Sequence, residues 1–179
     1  MRIVGGESRG RMLRSVPGDS TRPTSDRVRQ SLFDLLGQRM DGLAVLDLYA
    51  GTGALGLEAL SRGAVRATLV ESDARACGVI YGNLADLRYE ARCTVVQGTL
   101  PAAFARLRGP FDLVFSDPPY ALRAAQEVLD GLSSNHLLAP GARVVLEMDR
   151  REDAPVCPEG WQLADERRYG DTKVLVVSA

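Results

Sequence analysis

Residues that bind metals or cross-link chains are scarce here: three cysteines and one histidine in 179 residues. Cys77, Cys93 and Cys157 are widely spaced and odd in number, so neither a CxxC pair nor a disulfide framework is present. They read as small apolar fillers. His136 has no cysteine or histidine close to it in sequence, and no metal is expected. No apolar run approaches the ~18–20 residues that cross a bilayer. Residues 1–6, Met-Arg-Ile-Val-Gly-Gly, lack the apolar stretch of a secretory signal. The expectation is a cytoplasmic chain with no membrane partner. Repeats and low-complexity tracts are also missing, and Lys173 is the sole lysine.

What is present fits one domain with one substantial core, with 45% hydrophobic and 25% charged residues. The net charge of −1 hides an asymmetry. Residues 1–39 hold eight arginines against four acids, an excess of +4, which leaves −5 on the rest of the chain. Arginine in place of lysine explains the residue type but not the clustering. A basic arm on an acidic body is a layout for gripping a polyanion. Within the arm, residues 2–16 alternate loosely around Gly5-Gly6 and Gly10, as in a short hairpin. Residues 17–20 read as a turn, and Thr24 or Ser25 caps a helix carrying Asp26 in its first turn. Val28, Leu32, Leu35 and Leu36 give that helix one packing face, with Arg27 and Arg29 elsewhere.

After Asp41-Gly42 the pattern changes to alternating strands and helices. Nearly continuous apolar runs at 43–48, 67–71, 93–97, 111–116 and 142–148 predict parallel strands covered on both faces. Helices are predicted at 54–61, 74–87, 101–107 and 122–133. The fold class is therefore α/β, a doubly wound sheet. The chain ends differently: residues 161–168 and 172–177, joined by Tyr169-Gly170-Asp171, predict an antiparallel pair. Such an ending departs from the all-parallel dinucleotide fold.

Two loops carry chemistry. Gly51, Gly53 and Gly56 follow the first strand as G-x-G-x-x-G, and Glu71 ends the second strand, where a dinucleotide site places its ribose acid. A nicotinamide or flavin oxidoreductase would satisfy that spacing. Asp47 tilts the balance, because a carboxylate just before the turn repels a pyrophosphate and suits a cation, such as the amino group and sulfonium of S-adenosyl-L-methionine. The second loop is Asp117-Pro118-Pro119-Tyr120, directly after an apolar strand. Its prolines stiffen the backbone and remove two donors. What is left is a rigid edge of acceptors, the Asp117 carboxylate and the Pro118 carbonyl, beside an aromatic ring on Tyr120. That edge suits a planar base bearing an amino group, since stacking on an aromatic is worth about 1–3 kcal/mol. Acceptors fixed there also favour the transition state as the amino nitrogen gains positive charge. Pyrimidine C5 methylation needs a nucleophilic cysteine, and none lies beside this loop.

Asp47…Gly51-Thr-Gly53, Glu71 and Asp117-Pro-Pro-Tyr120 resemble the Rossmann-like class I methyltransferases that act on amino groups of bases. Arg2-Ile-Val-Gly-Gly6, Arg9-Gly-Arg11, Arg22-Pro-Thr24…Arg27-Val-Arg29 and residues 54–63 are similar to the RsmD-type bacterial 16S rRNA guanine-N2 methyltransferases. The resemblance covers nearly the whole chain. It implies a seven-stranded, mostly parallel sheet ending in an antiparallel hairpin. It divides the chain into a basic RNA-binding extension at 1–40 and a methyltransferase domain at 41–179. It assigns Asp47, Gly51 and Gly53 to the methionine end of the cofactor and Glu71 to its ribose. Asp117, Pro118 and Tyr120 would hold the guanine, and Arg9, Arg11, Arg22, Arg27 and Arg29 the RNA. The partner implied is ribosomal RNA or a 30S assembly intermediate, met by a monomer. Many relatives carry an acid after the third strand for the cofactor's adenine; here the segment is Val96-Gln-Gly-Thr99, so Thr99 or a backbone carbonyl takes that contact, with Ser72 helping to line the pocket. Amino transfer to adenine N6 or a protein glutamine fits the same loop, and a non-catalytic RNA-binding domain has no need of either loop.

Overall fold

The computed structural model describes residues 1–16 and 26–179. The expected Thr24 or Ser25 cap and Arg22 lie outside the described residues. The elements are α1 (Asp26–Leu36), β1 (Ala44–Leu48), α2 (Ala54–Ser61), β2 (Arg66–Glu71), α3 (Ala74–Leu87), β3 (Cys93–Gln97), β4 (Phe111–Ser116), α4 (Ala125–Ser134), β5 (Leu138–Asp149), β6 (Gln162–Tyr169) and β7 (Thr172–Ser178). The seven strands form one sheet in the order β3-β2-β1-β4-β5-β7-β6. β1 to β5 pair in parallel, and β7 lies antiparallel to both β5 and β6.

Alternation along the strands builds a core on each face. Val45, Leu113, Phe115, Val145, Val174 and Val176 point into one core, shared with α1, α2 and α3. Leu46, Val114, Val144, Leu146, Leu175 and Val177 point into the other, shared with α4. Side chains on opposite sides of a pleated strand account for this two-residue period. The helix after β1 therefore covers one face and the helix after β4 covers the other. Between them the carboxyl ends of β1 and β4 are left open.

Several local expectations are corrected. The helix expected at 101–107 is a 3-10 turn at Ala102–Arg106. The helix expected from 122 starts at Ala125, because a 3-10 turn at Tyr120–Leu122 and a left-handed Arg123 (φ 46°) come first. β5 begins at Leu138, earlier than its predicted start at 142, with a register shift against β4 between Phe111 and Leu113. The amino-terminal hairpin is narrow: one antiparallel bridge, Arg2 with Met12, flanked by backbone bonds such as Ile3 N–H to the Arg11 carbonyl at 2.9 Å.

The largest correction concerns Arg29, expected to face RNA. It is 0% exposed. Its guanidinium lies 3.6 Å from Glu58 of α2 and 2.8 Å from Asp26, and it donates to the Arg2 carbonyl. Glu58, itself fully buried, takes Arg62 Nε at 2.8 Å and the Val4 N–H at 2.8 Å. Arg62 in turn lies 4.6 Å over the Phe33 ring. Buried charges persist only when paired, so this cluster fastens hairpin, α1 and α2 to one another. Ile3, Leu13, Leu32, Phe33 and Leu36 of the arm belong to the same core as the sheet. Glu58→Ala takes a shared carboxylate from two buried guanidinium groups, leaving Arg29 with Asp26 and Arg62 with the Gln30 amide and Gln38 carbonyl oxygens; the expected loss is about 3 kcal/mol, read as a lower urea midpoint. A loss under about 1 kcal/mol would show that the arm is held by apolar packing alone.

Candidate active site

The turn after β1 is shaped by left-handed backbone. Tyr49 (φ 60°), Gly51 (φ 56°) and Gly53 (φ 79°) all lie there. For a tyrosine this is a strained conformation, of the kind found where a site over-determines the chain. Gly51 faces open space, since a Cβ there would meet nothing within 4 Å. Gly53 is buried, and a Cβ on it would press to 2.8 Å from Leu69. Its small size lets α2 start close against β2.

Asp47 is 1% exposed and accepts the Gly56 N–H of the first turn of α2 at 2.8 Å. Burial pushes its carboxyl up to about 7; the Gly56 N–H opposes this, while the charges of Asp117 and Glu71 push further. Glu71, at the end of β2, is locked by backbone donors: Gly51 N–H on Oε2 at 2.8 Å, Ser72 and Asp73 N–H on Oε1 at 2.7 and 2.9 Å. A carboxylate offers about four lone-pair sites, so Oε2 keeps one for a ligand hydroxyl. Asp117 leaves β4 half-buried, followed by a buried Pro118. Tyr120 opens the 3-10 turn, and the expectation for its ring lies outside the described side chains.

These loops meet in one cleft of about 1090 Å³. Asp47, Gly51, Glu71, Ser72 and Thr99 line it together with Asp117 and Pro118. Met1, Val16 and Val28 of the arm border the same cleft. Of the arginines expected to touch RNA, Arg9, Arg11 and Arg27 are exposed. Arg11 also donates to the Asp86 carbonyl at 2.7 Å. Sequence reasoning assigns no role to other residues lining the cleft. Among these are Tyr49, Glu127, Glu147 and Arg123. For Tyr49 and Glu147 the available signal is a polar side chain at the carboxyl end of an apolar strand.

The family model described as Conserved hypothetical protein 95 matches residues 1–178. The chain belongs to this family. It is 38% identical over 170 residues to Ribosomal RNA small subunit methyltransferase D of Escherichia coli strain K12, covering 95% of this chain and 85% of that one. Identity to YlbH of Bacillus subtilis is 35% over 180 residues, covering 98% and 97%. The solved structure of yhhF from Escherichia coli superposes with a TM-score of 0.90 at 37% identity, covering 99% of this chain and 97% of that one. The protein is a methyltransferase with the Rossmann-like fold expected for that class. The oxidoreductase reading of the Gly51–Gly56 spacing is thereby set aside. Among the described residues, no helix is long and apolar enough to cross a membrane.

The Asp47 carboxyl yields a pH prediction. Its folded pKa of about 7 stands above the ordinary 3.8. The folded state therefore binds the proton more tightly, and this contribution to stability is full below about pH 4 and lost as pH rises through 7. Asp47→Asn removes the dependence. Urea midpoints of the two proteins without ligand should diverge between pH 5 and 8, the wild type falling relative to the variant; parallel curves would place the Asp47 carboxyl in ordinary solvent.

Proposed function

We propose that this methyltransferase moves a methyl group from S-adenosyl-L-methionine to the exocyclic N2 amino group of a guanine in small-subunit (16S) ribosomal RNA. The observation that carries the reading is the shared cleft: an acidic donor wall and the Asp117-Pro118 edge open into one space. The donor set fits the cofactor. Burial, with the charges of Asp117 and Glu71 added to it, holds the Asp47 proton, and a cationic ligand beside these acids favours their charged forms. Gly51 has room for close approach of a ligand, Glu71 offers Oε2 to the ribose, and Thr99 and Ser72 line the adenine side.

When bound, the cofactor supplies a methyl group already activated on a sulfonium. The chain's own work is placement and charge. Asp117 and the Pro118 carbonyl accept the two N–H bonds of the target amino group, turning its lone pair toward the donor. As nitrogen gains positive charge the Asp117 carboxylate stabilises it and takes the departing proton. Holding nitrogen and methyl in line is worth up to about 7–11 kcal/mol of the barrier. The target must leave its stack, at a few kcal/mol, so an unpaired loop base is the substrate. The same edge accepts adenine N6 or a glutamine amide; the basic arm favours RNA. Residues 1–40 act as the RNA grip and 41–179 as the catalytic body, working in the cytoplasm as a monomer on rRNA or a 30S assembly intermediate.

Mass-spectrometric mapping of 16S RNA from cells lacking the protein, followed by repair with purified enzyme, tests the reading. One guanine should lose and regain a single N2-methyl; a change at adenine or in protein alone would overturn it. With Asp117→Ala, transfer should fall below detection while calorimetric affinity for S-adenosylhomocysteine stays within about threefold, a shift worth under about 1 kcal/mol. Equal loss of both would make the loop a structural element. For the arm, Arg27→Ala should flatten the salt dependence of RNA binding by about 0.9 in log–log slope for each duplex phosphate it ceases to neutralise; an unaltered slope clears Arg27.

A further inference from the structure

We propose that Glu147 is the residue that tells guanine from other amino-bearing bases, by accepting the ring N1–H. This rests on the guanine-N2 reading above and names how that site chooses its base. Along its amino edge guanine shows three N–H bonds, two on N2 and one on N1. Asp117 and the Pro118 carbonyl account for the two on N2. The N1–H remains, and burying a donor without a partner is costly.

The sheet register supplies the missing acceptor. β4 and β5 run in parallel with Ser116 opposite Leu146. One residue further on, Asp117 leaves the end of β4 beside Glu147, which stays within β5 opposite Val174 of β7, and neighbouring strands lie about 4.8 Å apart. Alternation sends them to the same face: Phe115 and Val145, two residues earlier, both point into the core beneath α1. Both acids are half-buried and both line the cleft. Other acids of the cleft are less suited. Asp149 lies two residues further along β5, beyond the end of its pairing with β4, and Glu127 sits exposed on α4, on the opposite face of the sheet.

The chemistry is selective. A carboxylate beside N1 accepts the guanine N1–H but opposes the lone pair that adenine and 2,6-diaminopurine carry at N1. A site built on a hydrogen bond rejects analogues lacking it far more strongly than an apolar pocket rejects a missing methylene. Glu147 is thus a specificity residue, separate from Asp117, which meets the reacting nitrogen.

The test compares two RNA fragments spanning the mapped target, one with guanine and one with 2,6-diaminopurine, which keeps the 2-amino group but has no N1–H. Wild-type enzyme should favour guanine by about 100-fold or more in kcat/KM. Glu147→Ala should lower kcat/KM on guanine roughly 10- to 100-fold and raise it on diaminopurine, so that the ratio falls toward one. Glu147→Gln keeps the shape and one acceptor oxygen, and its ratio should lie between the two. If Glu147→Ala fails to fold, the Gln ratio alone decides. Equal losses on both RNAs, an unchanged ratio, or a wild type indifferent to the two bases overturns the proposal. Wild-type transfer to neither base, in the fragments or in RNA assembled into a 30S particle, would instead overturn the guanine reading itself.

Discussion

The reversal of strand order between β1 and β4 is the constraint on which the rest of the molecule depends. From β1 the chain winds outward through β2 and β3, then returns to the far side of β1 as β4. Right-handed crossovers fix which face each connecting helix covers. The helix after β1 therefore packs on one face and the helix after β4 on the other. Two loops leaving adjacent strands in opposite directions cannot close over each other, and a crevice is left at the carboxyl ends. Asp47 and Asp117 are distant in the chain and face the same crevice for this reason alone. Open α/β sheets bind ligands at such a switch point.

The crevice is electrostatically uncomfortable without its ligands. Asp47 is buried with one N–H partner and two acidic neighbours, and holds its proton to about pH 7 as a result. Glu71 is spread-eagled by three backbone donors, so its direction is set before any ligand arrives. A site arranged in advance does not have to reorganise when charge develops, and this is where much enzymatic rate comes from. The arrangement also repels phosphate, which separates this use of a glycine-rich turn from its use by dinucleotide enzymes. Folded stability of domains is small, about 5–15 kcal/mol. Acid crowding is tolerated because two apolar cores and the buried Glu58 cluster hold the frame around it.

Much of the frame is legible in the sequence because β-strands announce themselves by two-residue alternation and helices by a longer period. The strands that carry Asp47 and Glu71 and the one that leads into Asp117 lie within a residue or two of their expected places, and the terminal hairpin follows from Tyr169-Gly170-Asp171. Failures come where a partner far along the chain decides the outcome. Helical periodicity sends an arginine to solvent by default, and nothing near Arg29 betrays its partner Glu58, which sits on a different helix. Residues 101–107 have helical composition but room for only a 3-10 turn before β4. Gly53 reads as a ligand contact, and only the fold shows that it also packs against Leu69 on the neighbouring strand.

From residues alone came the kind of chemistry: an acid before a glycine turn, an acid ending the second strand, and a proline-stiffened acceptor edge. Each is a local statement, written in neighbouring side chains and in backbone that prolines and glycines dictate. Tertiary structure decided which groups share a space. Strand order brought the two loops into one cleft, register set Glu147 beside Asp117, and burial turned Arg29 from a hand held out to RNA into a pin through the core. Proximity across a sheet depends on how strands pair, and burial on what packs above, and neither quantity is carried by a residue's own neighbours in the chain.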